Sequence, residues 1–246
     1  MKILLLDIET APNTAYVWGL FKENIPIQRL ISSGYVLCWA AKWLGSDGMM
    51  FDSIQNQTTP HKMLKGIHHL LDESDAVIHY NGTHFDIPTL NKEFVINGMA
   101  PPSPYKQIDL LKVVRNQFRL PSNKLAYVAE AFGIKQKVVH TGWQLWIDCM
   151  ANNPKAWEAM ADYNIGDIDT LEELYYKILP WIKNHPNHSI TSGGKIVCPN
   201  CGSINHHKRG TVSTNGAIYQ RYQCQDCTKW FRGIKNEGTR STACVA

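Results

Sequence analysis

Residues 2–10 read KILLLDIET, a short apolar run that ends in acids, and the rest of the fold can be worked out from it. The run Ile3 to Leu6 reads as a buried strand whose C-terminal end opens onto a site. Side chains alternate along a strand, so Asp7 and Glu9 can point to the same side. Two like charges held together are unfavourable unless something positive sits between them, and hard divalent cations do that well. A solvated strand end is the bland reading of the same residues.

Working outward, residues 34–43 (GYVLCWAAKW) and 49–52 (MMFD) flank a turn signal containing Gly45 and Gly48, a hairpin pattern. Residues 61–71 carry apolar side chains at helical spacing, and DAVIHY from Asp75 repeats the buried-strand pattern. A helix is expected over 85–96, with Pro88 tolerated in its first turn. A Pro-rich loop, a short strand at 107–109 and helices over 110–118, 123–132, 143–150 and 154–182 follow. Three early strands, an alternating middle and a helical end predict an α/β domain with a mixed sheet flanked by helices.

Of the 246 residues 44% are hydrophobic and 19% charged, which excludes disordered and collagen-like classes. No stretch approaches the roughly 18 consecutive apolar residues of a membrane-spanning helix. Met1 and Lys2 imitate the start of a signal peptide, but only four apolar residues follow before Asp7. The expectation is a soluble cytoplasmic protein with no membrane partner. Charge and cysteine divide unevenly: from Thr191 onward eight bases meet two acids, giving +6, while the remaining seventeen bases and nineteen acids give −2. Five of the seven cysteines lie in that basic end. The expected organisation is a domain over 1–183, a polar linker over 184–195, a small module over 196–232 and a disordered tail from 233.

Two further segments carry carboxylates. YNGTHFDIP, residues 80–88, puts a turn at Asn81-Gly82 and Asp86 near a helix start, where the helix dipole favours an anion. YNIGDIDTLEELY, residues 163–175, lies inside a long helical pattern, so Tyr163 and Asp167 share a face and Asp169 points elsewhere. Four carboxylates without a His or Cys partner make a hard-oxygen site suited to Mg²⁺ or Mn²⁺.

Taken in order, these segments resemble the three exonuclease motifs of the DEDD superfamily, which has a ribonuclease-H-like fold. YNGTHFDIPTL is particularly similar to the exonuclease domains of family-B DNA polymerases, as are IDLL (108–111) and KLAYVAEAFGIKQK (124–137). The position five before Asp167, where the histidine branch carries its His, is Asp162, whereas Tyr163 sits four before it; the resemblance is therefore to the tyrosine branch. It implies two-metal-ion 3′→5′ hydrolysis of phosphodiesters at DNA ends. Asp7 would bridge two Mg²⁺ or Mn²⁺ ions, with Glu9 and Asp167 on the nucleophile side, Asp86 on the leaving-group side and Tyr163 orienting the water. Thr10 and Asn81 would contact the terminal nucleotide. A separate DNA polymerase is an implied partner for a stand-alone proofreading or repair enzyme. An exoribonuclease of the same fold and a non-catalytic nucleic-acid-binding adaptor are the rival readings.

Near the C-terminal end, Cys198-Pro-Asn-Cys201 and Cys224-Gln-Asp-Cys227 form paired knuckles suited to one structural Zn²⁺. A pair of disulfides is the alternative and needs an oxidising compartment. His206 and His207 read as surface residues, and Cys38, Cys149 and Cys244 as core or tail thiols. The segment resembles the zinc ribbons of transposases and other nucleic-acid-handling proteins. Arg221, Tyr222, Trp230 and Arg232 are its candidate contacts to phosphates and stacked bases of single-stranded DNA; packing of these aromatics into the ribbon's own core is the other possibility.

Overall fold

The computed structural model describes residues 1–57, 59–134 and 142–238, and the chain divides into two compact units, Met1–Glu173 and Leu174–Ala246. The first unit opens with β1 (Ile3–Thr10), followed by β2 (Thr14–Ala15), β3 (Leu30–Ser32), β4 (Val36–Trp43) and β5 (Met49–Ser53). Then come α1 (Pro60–Glu73), β6 (Ala76–His79), α2 (Asp86–Ile96), β7 (Lys106–Asp109), α3 (Leu110–Gln117), α4 (Leu125–Ala131), α5 (Gln144–Met150) and α6 (Pro154–Ile178), which runs past the division.

Five strands form a mixed sheet in the order β5-β4-β1-β6-β7. β1 is central, antiparallel to β4 and parallel to β6. Its apolar run serves both faces, which is why it does not alternate with polar residues. Leu4, Leu6 and Ile8 pack in one cluster with Met63, Ile67 and Leu71 of α1 and with Leu90 and Phe94 of α2. Leu37 and Cys38 of β4 join Leu145 and Cys149 of α5 and Trp157 and Met160 of α6 in the other cluster. Burying one such leucine contributes about 1.5–3 kcal/mol, and truncating it to Ala costs roughly 2–5 kcal/mol because a cavity remains. Gly66 lets α1 lie close on β4: a Cβ there would come within 2.9 Å of Trp39, whose indole N–H donates to Met63 O at 3.0 Å.

The β2–β3 hairpin was not expected from the sequence. Its loop holds Trp18 and Phe21 outward at 91% and 88% exposure, while Glu23 accepts the backbone N–H groups of Trp18 and Gly19 and pairs with Arg29. The last helix is shorter than the expected 154–182, stopping at Ile178. A 3₁₀ turn, Leu179–Trp181, follows it around Pro180, as a ring without an N–H demands.

In the second unit β8 (His206–Ser213), β9 (Ile218–Cys224) and β10 (Trp230–Asn236) form an antiparallel sheet in the order β10-β9-β8. β10 continues to Asn236, past the expected end of the module at 232. Residues 184–195, expected as a flexible linker, are instead tied into this unit. The His188 N–H donates to Pro199 O at 3.0 Å, and His185 shares a 2.8 Å hydrogen bond with the Tyr175 hydroxyl. Nearby, Asn200 donates to Leu179 O and Ile182 O, and Lys229 Nζ donates to Pro180 O and Ile182 O. Carbonyls stranded where a helix ends need such donors. Among the described residues no helix is long and apolar enough to cross a membrane.

Candidate active site

The site is built where β1 runs out of partners. β6 pairs with β1 only from Ile3 to Leu5, and on the other side the β1–β4 register shifts between Glu9 and Thr10. Beyond β6 the Ile8 N–H donates to Asp86 Oδ1 at 3.2 Å, so a side chain takes over the ladder. Asp86 is the first residue of α2 and only 3% exposed. The turn that delivers it depends on two residues. Asn81 adopts a left-handed φ of 69°, and at Gly82 a Cβ would stand 2.4 Å from the His79 ring. Asp109 anchors the same turn, accepting from Asn81 N at 3.0 Å and from the first N–H groups of α3.

Across the sheet from Asp7 and Glu9 stand Ala40 and Cys38, small residues that leave room for α6. From α6, Asp167 approaches until its carboxylate and those of Asp7 and Glu9 offer ligand oxygens all within 4.8 Å of one another. Tyr163, one helical turn earlier, hydrogen-bonds Asp167. Three of the four expected carboxylates therefore converge. Asp86 stands outside that trio, close enough to Asp7 that its charge is the main neighbouring influence on Asp7's titration. Asp169 points away and interacts by charge with Lys42, which is paired to Glu172 at 2.6 Å. Thr10 lies past the bulge opposite Val36, and Asn81 contributes its backbone to the turn.

Electrostatics follow from the crowding. Burial and then the charges of Asp86, Glu9 and Asp167 hold the Asp7 carboxyl well above its usual range, against a hydrogen bond from Asn164 that lowers it. Glu9 is pushed up to about 8, by burial first and Asp167 second. Asp86 is raised to about 7 by burial. Burial and the surrounding carboxylates also push the Tyr163 phenol up, so it remains a hydrogen-bond donor. An all-oxygen donor set whose ionisation is opposed by its own members is chemically fitted to a hard divalent cation.

Three residues without a sequence-assigned role support the trio. Asn164, fully buried, donates to Asp7 Oδ2 at 2.6 Å and accepts from the Cys38 thiol at 3.7 Å. Trp146 donates to Glu9 Oε2 at 3.2 Å, and Asp109 holds the Asn81 turn. Asn164 precedes Asp167 by three, so helical spacing could have flagged it. Nothing local in the sequence marks Trp146.

In the second unit the sulfur atoms of Cys198, Cys201, Cys224 and Cys227 all lie within 4.8 Å of one another. Tetrahedral ligation with metal–sulfur bonds of about 2.3 Å separates sulfurs by roughly 3.8 Å. Cys198–Cys227 at 3.5 Å and Cys201–Cys224 at 3.6 Å fit that edge, far from a disulfide's roughly 2.05 Å. The sheet beside them has two different faces. Tyr222, expected to contact substrate, is instead 5% exposed, stacked on Phe231 at 5.3 Å and edge-on to His206. Tyr222 is therefore a core residue, and His206 packs with it rather than standing free on the surface. Alternation puts Arg221 and Arg232 on the opposite face, over the rings of Trp230 (5.0 Å) and Tyr219 (3.9 Å). Of the positions singled out in the sequence, residues 135–137 and Cys244 lie outside the described residues.

The RNase_H superfamily model (RNase_H_2) matches residues 40–179, which include Asp86, Tyr163 and Asp167. Among solved structures, the chain is similar to the family B DNA polymerase from the hyperthermophilic archaeon Pyrobaculum calidifontis, with a TM-score of 0.53 and 19% sequence identity. That similarity covers 73% of this chain and 24% of the polymerase. No curated protein matches the sequence.

Proposed function

This chain belongs to the RNase H superfamily, and on that footing we propose that it is a metal-dependent 3′→5′ exonuclease acting on single-stranded DNA ends. The observation that carries the reading is the convergence of Asp7, Glu9 and Asp167 with Tyr163 bonded to the last of them. Asp7, Glu9 and Asp167 would hold a Mg²⁺ or Mn²⁺ ion, and Asp86, beside Asp7, would complete the set for a second. When bound, such ions supply Lewis acidity toward the phosphoryl oxygens and lower the pKa of an attacking water.

The chain's own residues do the rest. Asn164 fixes one oxygen of Asp7, and the bond from Ile8 fixes one of Asp86, so the ligands are oriented before any strand arrives. Tyr163 keeps its proton and is placed to orient the water by hydrogen bonding rather than to act as the base. In the reaction a bond forms between the water oxygen and phosphorus while the phosphorus–O3′ bond breaks. The 3′ oxygen stays on the shortened strand and the phosphate leaves on the 5′ carbon of the released nucleotide.

The four-cysteine cluster is assigned to one structural Zn²⁺, whose binding stabilises a module with few large apolar residues. Its arginine-bearing face, with Trp230 and Tyr219, would hold nucleic acid while the carboxylates trim the end. A DNA polymerase working on the same strand is the partner such an activity calls for. The test is digestion of 5′-labelled and 3′-labelled single strands of DNA and RNA, with and without mismatched duplex, in Mg²⁺ or Mn²⁺. Stepwise shortening of the 5′-labelled DNA strand is expected. Intact strands with either ion would overturn the reading, and a preference for RNA would turn it into an exoribonuclease.

A further inference from the structure

A line of aromatic rings leads from the surface to the carboxylates. Trp143, which precedes α5, is 61% exposed and lies nearly parallel to Trp146, at 17° and 6.3 Å between ring centroids. Trp146 in turn meets Tyr163 edge-on at 5.9 Å and 73°, and its indole N–H holds Glu9 Oε2 at 3.2 Å. The helix presenting these rings is seated by Leu145 and Cys149, both buried against α6 and β4. Packing is thus supplied by the inner face of α5, and it does not account for an indole left mostly in water.

The carboxylates repel a polyanion, so a strand end brought to them must be held by something other than the acids. Bases offer flat faces of every sequence, and stacking on aromatic side chains is the sequence-tolerant way to hold them. A base inside a duplex is covered on both faces, whereas an unpaired terminal base is free to turn onto a ring. We propose that Trp143 and Trp146 form a stacking platform for the terminal bases of a single-stranded nucleic acid, and that the N–H of Trp146 ties this platform to Glu9. Trp146 is then a positioning residue: the side chain that borders the bound base also sets the direction of a carboxylate. The inference rests on the proposed nuclease reading and adds to it the residues that hold the terminal bases and tie them to Glu9.

The test uses the full chain in EDTA with fluorescein-labelled oligothymidine, ending either in normal nucleotides or in two abasic sites at the 3′ end. Trp143→Ala is expected to weaken binding of the normal strand about 5- to 150-fold and to leave the abasic strand unaffected. Trp146→Phe keeps a ring but not the N–H; it should bind the normal strand within about threefold of wild type while kcat in Mn²⁺ falls and KM holds. Equal losses on normal and abasic strands for Trp143→Ala would overturn the platform, as would a Trp146→Phe enzyme with unchanged kcat. A wild-type chain that shows the base-dependent difference but never cleaves would support the platform and refute the nuclease. Cleavage by wild type with an indifferent Trp143→Ala would do the reverse.

Discussion

Replacing Glu9 by Gln should stabilise the metal-free protein at neutral pH while destroying its use for metal. Burial and the neighbouring Asp167 raise Glu9 from 4.5 to about 8. In the unfolded chain the same carboxyl ionises near its ordinary value, so between pH 4.5 and 8 the folded state holds a proton that the unfolded state has released. Stability then falls as pH rises across that window and levels off above it. At about 1.4 kcal/mol per pH unit, the loss by pH 7.5 is roughly 4 kcal/mol. A Gln side chain escapes that penalty but brings an amide, with two N–H groups to satisfy, into a crowded site. A net gain of about 2 kcal/mol is expected, or roughly 4–8 °C in Tm for a protein of this size. Thermal melts in EDTA at pH 4.5 and 7.5 measure it: at the lower pH the penalty on Glu9 is nearly gone while the cost of the amide remains, so the variant should melt a few degrees below wild type there and above it at pH 7.5. Saturating Mn²⁺ should reverse the order at pH 7.5, because ligand at 100 times Kd stabilises the wild type by about 2.7 kcal/mol and the variant lacks one ligand. Matching melts at both pH values, or a Gln variant that melts lower at pH 7.5 in EDTA, would refute the electrostatic account.

Four other expectations follow from the structure. Asp167→Asn should abolish ion-dependent cleavage with an unchanged circular dichroism spectrum, whereas Tyr163→Phe, which removes a hydrogen bond and no ligand, should cost about 10- to 100-fold in kcat. Stripping the cysteine cluster with a thiol-reactive mercurial should release about one zinc per chain by colorimetric assay and unfold the sheet of residues 206–236; a spectrum unchanged on stripping would remove its structural role. The double variant Arg221→Ala/Arg232→Ala should flatten the dependence of log K on log salt for single-stranded DNA by about 1.4, and an unaltered slope would take that face out of nucleic-acid binding.

Much of this was legible in the sequence because the decisive patterns are local. The run Ile3 to Leu6 followed by Asp7 and Glu9, and the spacing of Tyr163 and Asp167, announce strand and helix whatever surrounds them. The contributions of Asn164, Trp146 and Asp109 are of another kind, since each depends on which element lies opposite, and that is settled only when the sheet and helices pack. Tyr222 and Trp230 show the limit within one small sheet: both are aromatic, and only strand register decides that the first is core and the second faces out. Residues 184–195 misled for a similar reason. Their polarity reads as coil, while their hydrogen bonds and those of Asn200 and Lys229 meet the needs of a chain that has just left a helix.

The buried contact between Cys38 and Asn164 limits what position 38 can tolerate. An amide has a donating and an accepting end of nearly the same shape, and the thiol donates to its oxygen, which leaves the NH₂ end turned toward Asp7. Burial holds Cys38 as a thiol, so the donor persists across the working pH range. Serine at 38 would keep the amide's polarity. Alanine or valine would supply no donor, leaving the amide's direction to its bond with Asp7 alone. The residue at 38 therefore acts as a one-bit instruction, written on a neighbouring strand, for the orientation of a group that belongs to the helix.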